Sequence, residues 1–132
     1  MLFKLIKMKT IVNTNNAPAP IGPYSQAVIA NGMLYISGQI AIVPETGEVE
    51  LSNIEAEAHQ VMKNLQAILT EANCSFENAV KTTILLSSMD LFSRVNAVYG
   101  SYFSGSCPAR ETFAVKGLPK NVNVEISMIA VV

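Results

Sequence analysis

Two charged residues near the C-terminal end of the chain combine reactive side chains with a restricted backbone. Glu125 lies in the run VNVEISMIAVV, residues 122–132, whose composition is typical of a β-strand. Because side chains alternate across a sheet, Glu125 points away from the apolar face formed by Val122, Val124, Ile126, Met128, Ala130 and Val132. The pattern leaves open whether Glu125 is a functional carboxylate or an ordinary solvated one.

Arg110 directly follows Pro108-Ala109 at the predicted entrance of another strand, and the chain has only one other arginine, Arg94. An arginine held by a proline-restricted turn is suited to binding a carboxylate through two parallel N–H donors. The alternative is a surface arginine paired with the adjacent Glu111. These residues alone do not decide between the two.

Weaker signals come from polar and aromatic residues at loop and strand ends. Tyr24 follows a proline-rich loop, residues 17–23, and either lines a ligand pocket or packs in a core or interface. Ser37 and Gly38 end a strand, where the glycine would admit a ligand close to the backbone or simply form a turn. Asn96 interrupts the apolar pattern of a predicted helix, or lies on its solvated face. The single histidine, His59, is interpreted as a boundary residue rather than a base.

Composition excludes several classes of function. The net charge of −1 and the absence of a basic run argue against nucleic-acid binding. One histidine and two separated cysteines, Cys74 and Cys107, predict free thiols, no metal and a cytoplasmic location, with a mitochondrial one as the alternative. No segment approaches the length of a membrane span. We interpret residues 1–9 as a leader of unknown use, in which Met8 could equally be the start, and residues 10–132 as one domain.

Periodicity predicts an α+β fold in the order β-β-β-α-β-α-β-β. Asn31-Gly32 indicates a hairpin between strands 25–30 and 33–37, and Ser52 begins a capping box at the first helix. The second helix is capped by Ser88 or Asp90, and the other strands are predicted at 79–87, 111–116 and 122–132. Two helices cover one face of the sheet. Since half of the residues are apolar, we expect another subunit on the other face.

Taken in order, these segments resemble the RidA/YjgF family, whose members are also described as L-PSP endoribonucleases or translation inhibitors. The similarity runs from about Thr10 to Val132 and is carried by APIGPYSQA at 19–27, YISGQ at 35–39, VKTTILL at 80–86, VNAVY at 95–99, CPAR at 107–110, LPK at 118–120 and VEI at 124–126. The chain departs from the family pattern at Glu111, where a small residue is common, and in its longer leader.

The resemblance implies a chorismate-mutase-like fold and a barrel-shaped homotrimer with clefts between subunits. It implies that Arg110 binds a substrate carboxylate and that Glu125 positions water. The cleft would be lined by Tyr24, Ser37, Gly38, Asn96 and Thr112, the last at a position where some members have cysteine.

The activity implied by the resemblance is the cofactor-free hydrolysis of reactive 2-imino and enamine acids, such as 2-aminoacrylate, to keto acids and ammonia. Two alternatives remain. One is an endoribonuclease or translation inhibitor, and the other is a small-acid binding protein that uses Arg110 without turnover.

Overall fold

The computed structural model describes residues 8–132, and most of the predicted leader lies outside this range. Six strands and two α-helices follow the predicted order. The elements are β1 (Thr10–Val12), β2 (Ala27–Ala30), β3 (Met33–Gln39), α1 (Ile54–Glu71), β4 (Ala79–Leu86), α2 (Phe92–Gly100), β5 (Ala109–Ala114) and β6 (Val124–Val131).

The strands form one mixed sheet in the order β1-β2-β3-β6-β4-β5. All neighbouring pairs are antiparallel except β4 and β5, which are parallel. The predicted hairpin is present: Asn31 and Gly32 both have positive φ, as the two central positions of a type I′ turn require. Strand β6 lies inside the sheet and β5 lies at its edge.

Both helices pack on the same face of the sheet. On β6 the buried side chains alternate strictly, and they join the apolar residues of α1 and α2 in one core. The contributing residues are Val124, Ile126, Met128 and Ala130 from β6, Val61, Leu65, Ile68 and Leu69 from α1, and Val95 and Tyr99 from α2. This core confirms the predicted α+β arrangement.

The structure corrects both predicted helix starts. Asn53, not Ser52, caps α1: its side chain accepts a hydrogen bond from the Ala56 amide at 2.8 Å, and the Ser52 hydroxyl instead donates to Glu50. Ser88 caps only the short 3₁₀ turn that precedes α2. The residue before α2 itself, Leu91, makes no side-chain capping hydrogen bond, so neither Ser88 nor Asp90 caps α2.

The predicted strand at 111–116 also differs, because β5 begins at Ala109. Its parallel pairing with β4 starts at Lys81 opposite Ala109 and continues to Leu86 opposite Ala114. Arg110 therefore lies inside the strand rather than in the turn before it. This placement gives its side chain a defined face of the sheet.

The sheet face opposite the helices carries large apolar side chains that this chain leaves partly uncovered. Tyr35, Phe113 and Val131 are each more than two-fifths exposed on it. Patches of this kind typically pack against another polypeptide. Within residues 8–132, no helix combines the length and apolar character needed to cross a membrane.

We predict that the protein is a trimer in solution, held together through this helix-free face. Light scattering should give about 43 kDa, three times the 14.2 kDa of one chain. Phe113→Lys should shift the mass towards the monomer, because it places a charge in the interface. Glu71→Lys, a charge change on exposed α1, should leave the mass unchanged. A wild-type mass near that of one chain at micromolar concentration would contradict the prediction.

Candidate functional site

Glu125 lines a cavity on the helix-free side of the sheet. The cavity has a volume of about 390 Å³. Tyr24, Ser37 and Gly38 line it together with Glu125, so four of the predicted site residues meet in one chain. Most of the remaining wall is apolar, and it is formed by Pro18, Ala19, Ile21, Ile40, Ile42 and Pro119.

The Glu125 carboxylate approaches Gly38 closely. A Cβ atom built on Gly38 would lie 2.8 Å from Cδ of Glu125, so a larger residue there would force the carboxylate to shift. The pairing of β3 with β6 is irregular here, since it jumps from Ile36 opposite Met128 to Gln39 opposite Ile126. The irregularity brings the backbone at Gly38 against the Glu125 carboxylate.

Two buried polar side chains hold other walls of the cavity. Gln26 binds the proline-rich loop: its Oε1 accepts from the Thr14 amide at 2.7 Å, and its Nε2 donates to the carbonyls of Thr14 and Pro18. Asn64 of α1 donates through Nδ2 to the carbonyls of Ile40 and Ile42, at 3.0 and 2.9 Å. Both side chains satisfy backbone groups that leave the sheet, which fixes the shape of the cavity.

Burial raises the pKa of the Glu125 carboxyl above its ordinary value. Its surroundings disfavour the charged form, and no cation among residues 8–132 lies within ion-pair distance of it. A carboxyl group in such surroundings exchanges protons closer to neutral pH than an exposed one. This property is suited to general acid–base chemistry.

Arg110 lies in a second cluster, packed against α2. Its guanidinium carbon lies 5.1 Å from the centre of the Tyr99 ring and 5.6 Å from that of Phe92, distances typical of cation–π contacts. Nη1 donates to Oδ1 of Asn96 at 2.7 Å. With Nη1 engaged, the rest of the guanidinium can donate to an incoming carboxylate.

Thr112 is two residues further along β5 and belongs to the same cluster. Its hydroxyl is buried and has no hydrogen-bond partner among the described residues. It lines a small recess shared with Arg110 and Asn96. Three predicted site residues therefore meet here, separately from the four around Glu125.

The two clusters lie on opposite faces of the sheet. Arg110 pairs with Thr82, whose buried hydroxyl is 2.7 Å from that of Tyr99 on the helix side. Glu125 pairs with Leu85, which is three residues after Thr82 on β4. Because side chains alternate along a strand, Leu85 and Glu125 point to the helix-free side. Strand β4 also separates β5 from β6. Within one chain, the two charged groups cannot act on the same small molecule.

Glu111 does not compete for Arg110. Its carboxylate forms an ion pair with Lys81 at 3.1 Å and accepts a hydrogen bond from the Thr83 hydroxyl, both on the helix-free face. Hydrogen bonds from Thr83 and then Lys81 lower the pKa of Glu111. Arg110 is exposed, as the surface alternative expected, but among the described residues its partner is Asn96 and not Glu111.

The described residues also locate the remaining polar candidates. Among residues 8–132, no group of three His, Cys, Asp or Glu side chains is arranged to hold a metal ion. His59 is exposed on α1, where its Nδ1 lies 2.9 Å from the Tyr102 hydroxyl. This is the boundary position predicted for it.

Comparison with known proteins places the chain in a family. The sequence model of the endoribonuclease L-PSP family matches residues 14–132. A RutC family protein of Synechocystis is 51% identical over 92% of this chain and 95% of its own length. The chain belongs to the RidA/YjgF family. The 2-iminobutanoate/2-iminopropanoate deaminase of Mus musculus is 47% identical over 94% of this chain and 92% of its own.

Solved structures of RidA/YjgF proteins share the fold. The YjgF gene product of E. coli superposes with a TM-score of 0.88 at 41% identity, covering 92% of this chain and 98% of that one. E. coli TdcF with bound serine superposes with a TM-score of 0.89 at 35% identity, covering 93% and 98%. The predicted family and α+β fold are therefore confirmed.

Sequence reasoning missed the buried polar residues Gln26 and Asn64. Gln26 stands within the APIGPYSQA segment, and Asn64 lies next to Leu65 in the apolar stripe of α1. The available signal was a polar residue at or beside positions that face the core. Such residues are buried only with partners, and the partners here are distant in sequence.

Glu125→Gln should raise the free energy of unfolding at pH 7. Because the folded-state pKa is raised, ionisation of Glu125 costs stability as the pH rises through that pKa, and the amide avoids this cost. The gain should vanish below the unfolded-state pKa, about 4.3 for glutamate. Denaturant unfolding at one fixed protein concentration from pH 3 to 8 measures it.

Glu111→Gln is the comparison, since the pKa of the Glu111 carboxyl is shifted in the opposite direction. Its lowered pKa contributes stability above the unfolded-state pKa, so the substitution should destabilise the protein at pH 7 but not at pH 3. Burial is assigned above as the dominant cause of the raised Glu125 pKa. A Glu125→Gln protein that is less stable than wild type at pH 7 would contradict this assignment.

Proposed function

We propose that this protein hydrolyses 2-imino acids, and enamines such as 2-aminoacrylate through their imine form, to 2-keto acids and ammonia. The observation that supports this most is the half-buried Glu125 carboxyl, which has no ion-pair partner among residues 8–132 and lines a largely apolar cavity. The mouse relative is named for this reaction, and TdcF binds serine, a small acid with a carboxylate beside an amino-bearing carbon.

Arg110 binds the substrate carboxylate. The rings of Tyr99 and Phe92 and the amide of Asn96 hold the guanidinium, so little side-chain freedom is lost when the ligand binds. The Thr112 hydroxyl lines the same recess as Arg110 and can form a hydrogen bond with the bound ligand. Binding the carboxylate orients the adjacent C=N carbon towards the water held by Glu125.

Glu125 moves the protons. As a carboxylate it accepts a proton from the water that attacks the C=N carbon and passes that proton to the nitrogen, which gives a tetrahedral carbinolamine. It then takes the proton of the new hydroxyl group and delivers it to the amino nitrogen, so that the C–N bond breaks, ammonia leaves and the keto group forms. Positioned acid–base groups of this kind contribute about 10²–10⁴-fold in rate. No cofactor enters these steps.

The complete site is formed between two subunits of a homotrimer. One chain supplies Glu125 with Tyr24, Ser37 and Gly38, and its neighbour supplies Arg110 with Asn96 and Thr112. The support for this division is geometric, since the two clusters lie on opposite faces of one sheet. The exposed edge of β5 places the Arg110 cluster where a neighbouring copy can reach it.

Arg110→Lys should raise KM for imino acids by about 10-fold or more, because lysine cannot present a planar fork to a carboxylate. Glu125→Gln should lower kcat by about 10²-fold or more while leaving KM nearly unchanged. The assay generates the imine with an amino-acid oxidase and follows keto-acid release with and without the protein.

Arg94→Lys is the matched control for the arginine. Arg94 is the other arginine, and it forms an exposed pair with Glu55 through Nε and Nη2, both at 2.7 Å. The same chemical change there should leave deamination unaffected. Wild-type deamination in both site variants would refute the assigned site. If the wild type binds imino acids without converting them, and Arg110→Lys weakens that binding, the result favours a small-acid binding protein.

Mixing the two inactive variants tests whether the site lies between subunits. When Arg110→Lys and Glu125→Gln chains are co-refolded in equal amounts, each interface has about one chance in four of combining the two intact residues. Activity should therefore recover to about a quarter of wild type in randomly mixed trimers. No recovery in verified mixed trimers would place both residues in one subunit's site.

The same preparations test the ribonuclease activity that the family description names. The proposal is wrong if the wild type shows no deamination and both variants still cleave single-stranded RNA. The ribonuclease function would then take its place. Deamination that depends on both residues, with no RNA cleavage, supports it.

A further inference from the structure

A buried carboxylate lies behind the strand that carries Glu125. Glu57 of α1 is 1% exposed, and no cation among the described residues lies within ion-pair distance of it. Instead it accepts three hydrogen bonds from the entry of β6. Its Oε2 accepts from the amides of Asn123 and Val124 at 2.7 and 3.1 Å, and its Oε1 accepts from Nδ2 of Asn123 at 2.9 Å.

The end of β4 holds the same segment from the other side. The Ser87 amide donates to the Asn123 carbonyl at 3.0 Å, and the Ser87 hydroxyl donates to Oδ1 of Asn123 at 2.9 Å. Asn123 is therefore held by α1 and by β4 at once. The next two residues are Val124, which enters the core, and Glu125, which enters the cavity.

Glu57 has two effects at this position. Its oxygens satisfy backbone amides that would otherwise be buried without a partner, and they also fix where those amides lie. Glu57 lies between Ile54 and Ala58 on the core side of α1. What the carboxylate provides there is a pair of acceptors that can fix two consecutive backbone amides and one side-chain amide.

We propose that Glu57 is a positioning residue for Glu125: by fixing the Asn123 and Val124 amides, it holds the Glu125 carboxylate against Gly38 in the wall of the cavity. The kinetic part of this inference rests on the proposed deaminase function. The backbone anchor is one residue from Glu125, and the carboxylate occupies the space that a Cβ atom on Gly38 would fill. Displacements of about 1 Å at a reacting group can cost 10²-fold in rate.

Glu57→Leu removes both carboxylate oxygens as hydrogen-bond acceptors and places an apolar side chain of comparable size in the core. It should lower kcat by about 10- to 100-fold and leave KM within about 3-fold, because Arg110 lies on another strand and the opposite face. A loosened β6 entry should also admit water to Glu125. The acid limb of the kcat–pH profile should then move down, towards the ordinary range of a glutamate.

Glu57→Gln is the conservative variant and should retain kcat within about 3-fold of wild type. Its carbonyl can accept from both backbone amides. Its NH₂ group then faces Asn123, whose amide can turn to present Oδ1, while the Ser87 hydroxyl accepts from Nδ2. All the groups remain paired without the charge.

Leu69→Ala is the matched control for destabilisation, because Leu69 is fully buried on the same helix and is absent from the cavity walls. Below its melting temperature it should keep the wild-type kcat and pH profile. The inference is overturned by a Glu57→Leu protein with wild-type kcat, by an equal loss of kcat in Leu69→Ala, or by an equal loss in Glu57→Gln.

Titration of the Glu125 carboxyl carbon by carbon-13 NMR, assigned with Glu125→Gln, provides a readout that does not need activity. The Glu125 pKa should fall in Glu57→Leu and stay in place in Leu69→Ala. If the wild type has no deaminase activity, the proposed function fails and this titration still decides the role of Glu57. An unchanged Glu125 titration in Glu57→Leu overturns it.

Should Glu57→Leu fail to fold, Glu57→Asp decides the question. Aspartate keeps the charge and both acceptor oxygens but withdraws them by one methylene. A folded Glu57→Asp protein should show the same change, a lower kcat at unchanged KM with a lowered Glu125 pKa, to a smaller degree. Wild-type kcat and titration in that variant would overturn the inference.

Discussion

Backbone that leaves the sheet near the cavity must still find hydrogen-bond partners, and this constraint shapes the site. Three buried polar side chains provide the partners: Gln26 for the proline-rich loop, Asn64 for the segment at Ile40 and Ile42, and Glu57 for the entry of β6. An unpaired buried backbone group costs free energy comparable to a lost hydrogen bond. The same bonds that satisfy these groups therefore hold the cavity walls in place.

The sheet divides the chemistry of the chain between its two faces. The Arg110 cluster is built on the helix side, where α2 supplies two aromatic rings and an amide. The Glu125 cavity is built on the other side, where no helix intervenes. Alternation of side chains makes this separation unavoidable within one chain. Association of copies through the uncovered face offers a way to bring the two together.

Glu125 and Glu111 show how the surroundings of a carboxyl group set its pKa. Its carboxyl is half-buried beside Gly38 and its pKa is raised by that burial, with no cation in the described part of the chain to offset the desolvation. Glu111, on the same face, is paired with Lys81 and Thr83, and its pKa is lowered. Two glutamates of one sheet thus differ in chemistry because one is desolvated and the other is paired.

Local pattern in the sequence was sufficient for the order of elements, the Asn31-Gly32 hairpin, the apolar face of β6 and the outward direction of Glu125, because these depend on side-chain alternation and turn chemistry. Motif order was sufficient for the family, and the resemblance supplied the candidate site residues. Only the tertiary structure separated those residues into two clusters, paired Glu111 with Lys81, and revealed Glu57 beneath β6. Each of these depends on contacts between segments far apart in sequence, such as Glu57 with Asn123, and no local pattern encodes them.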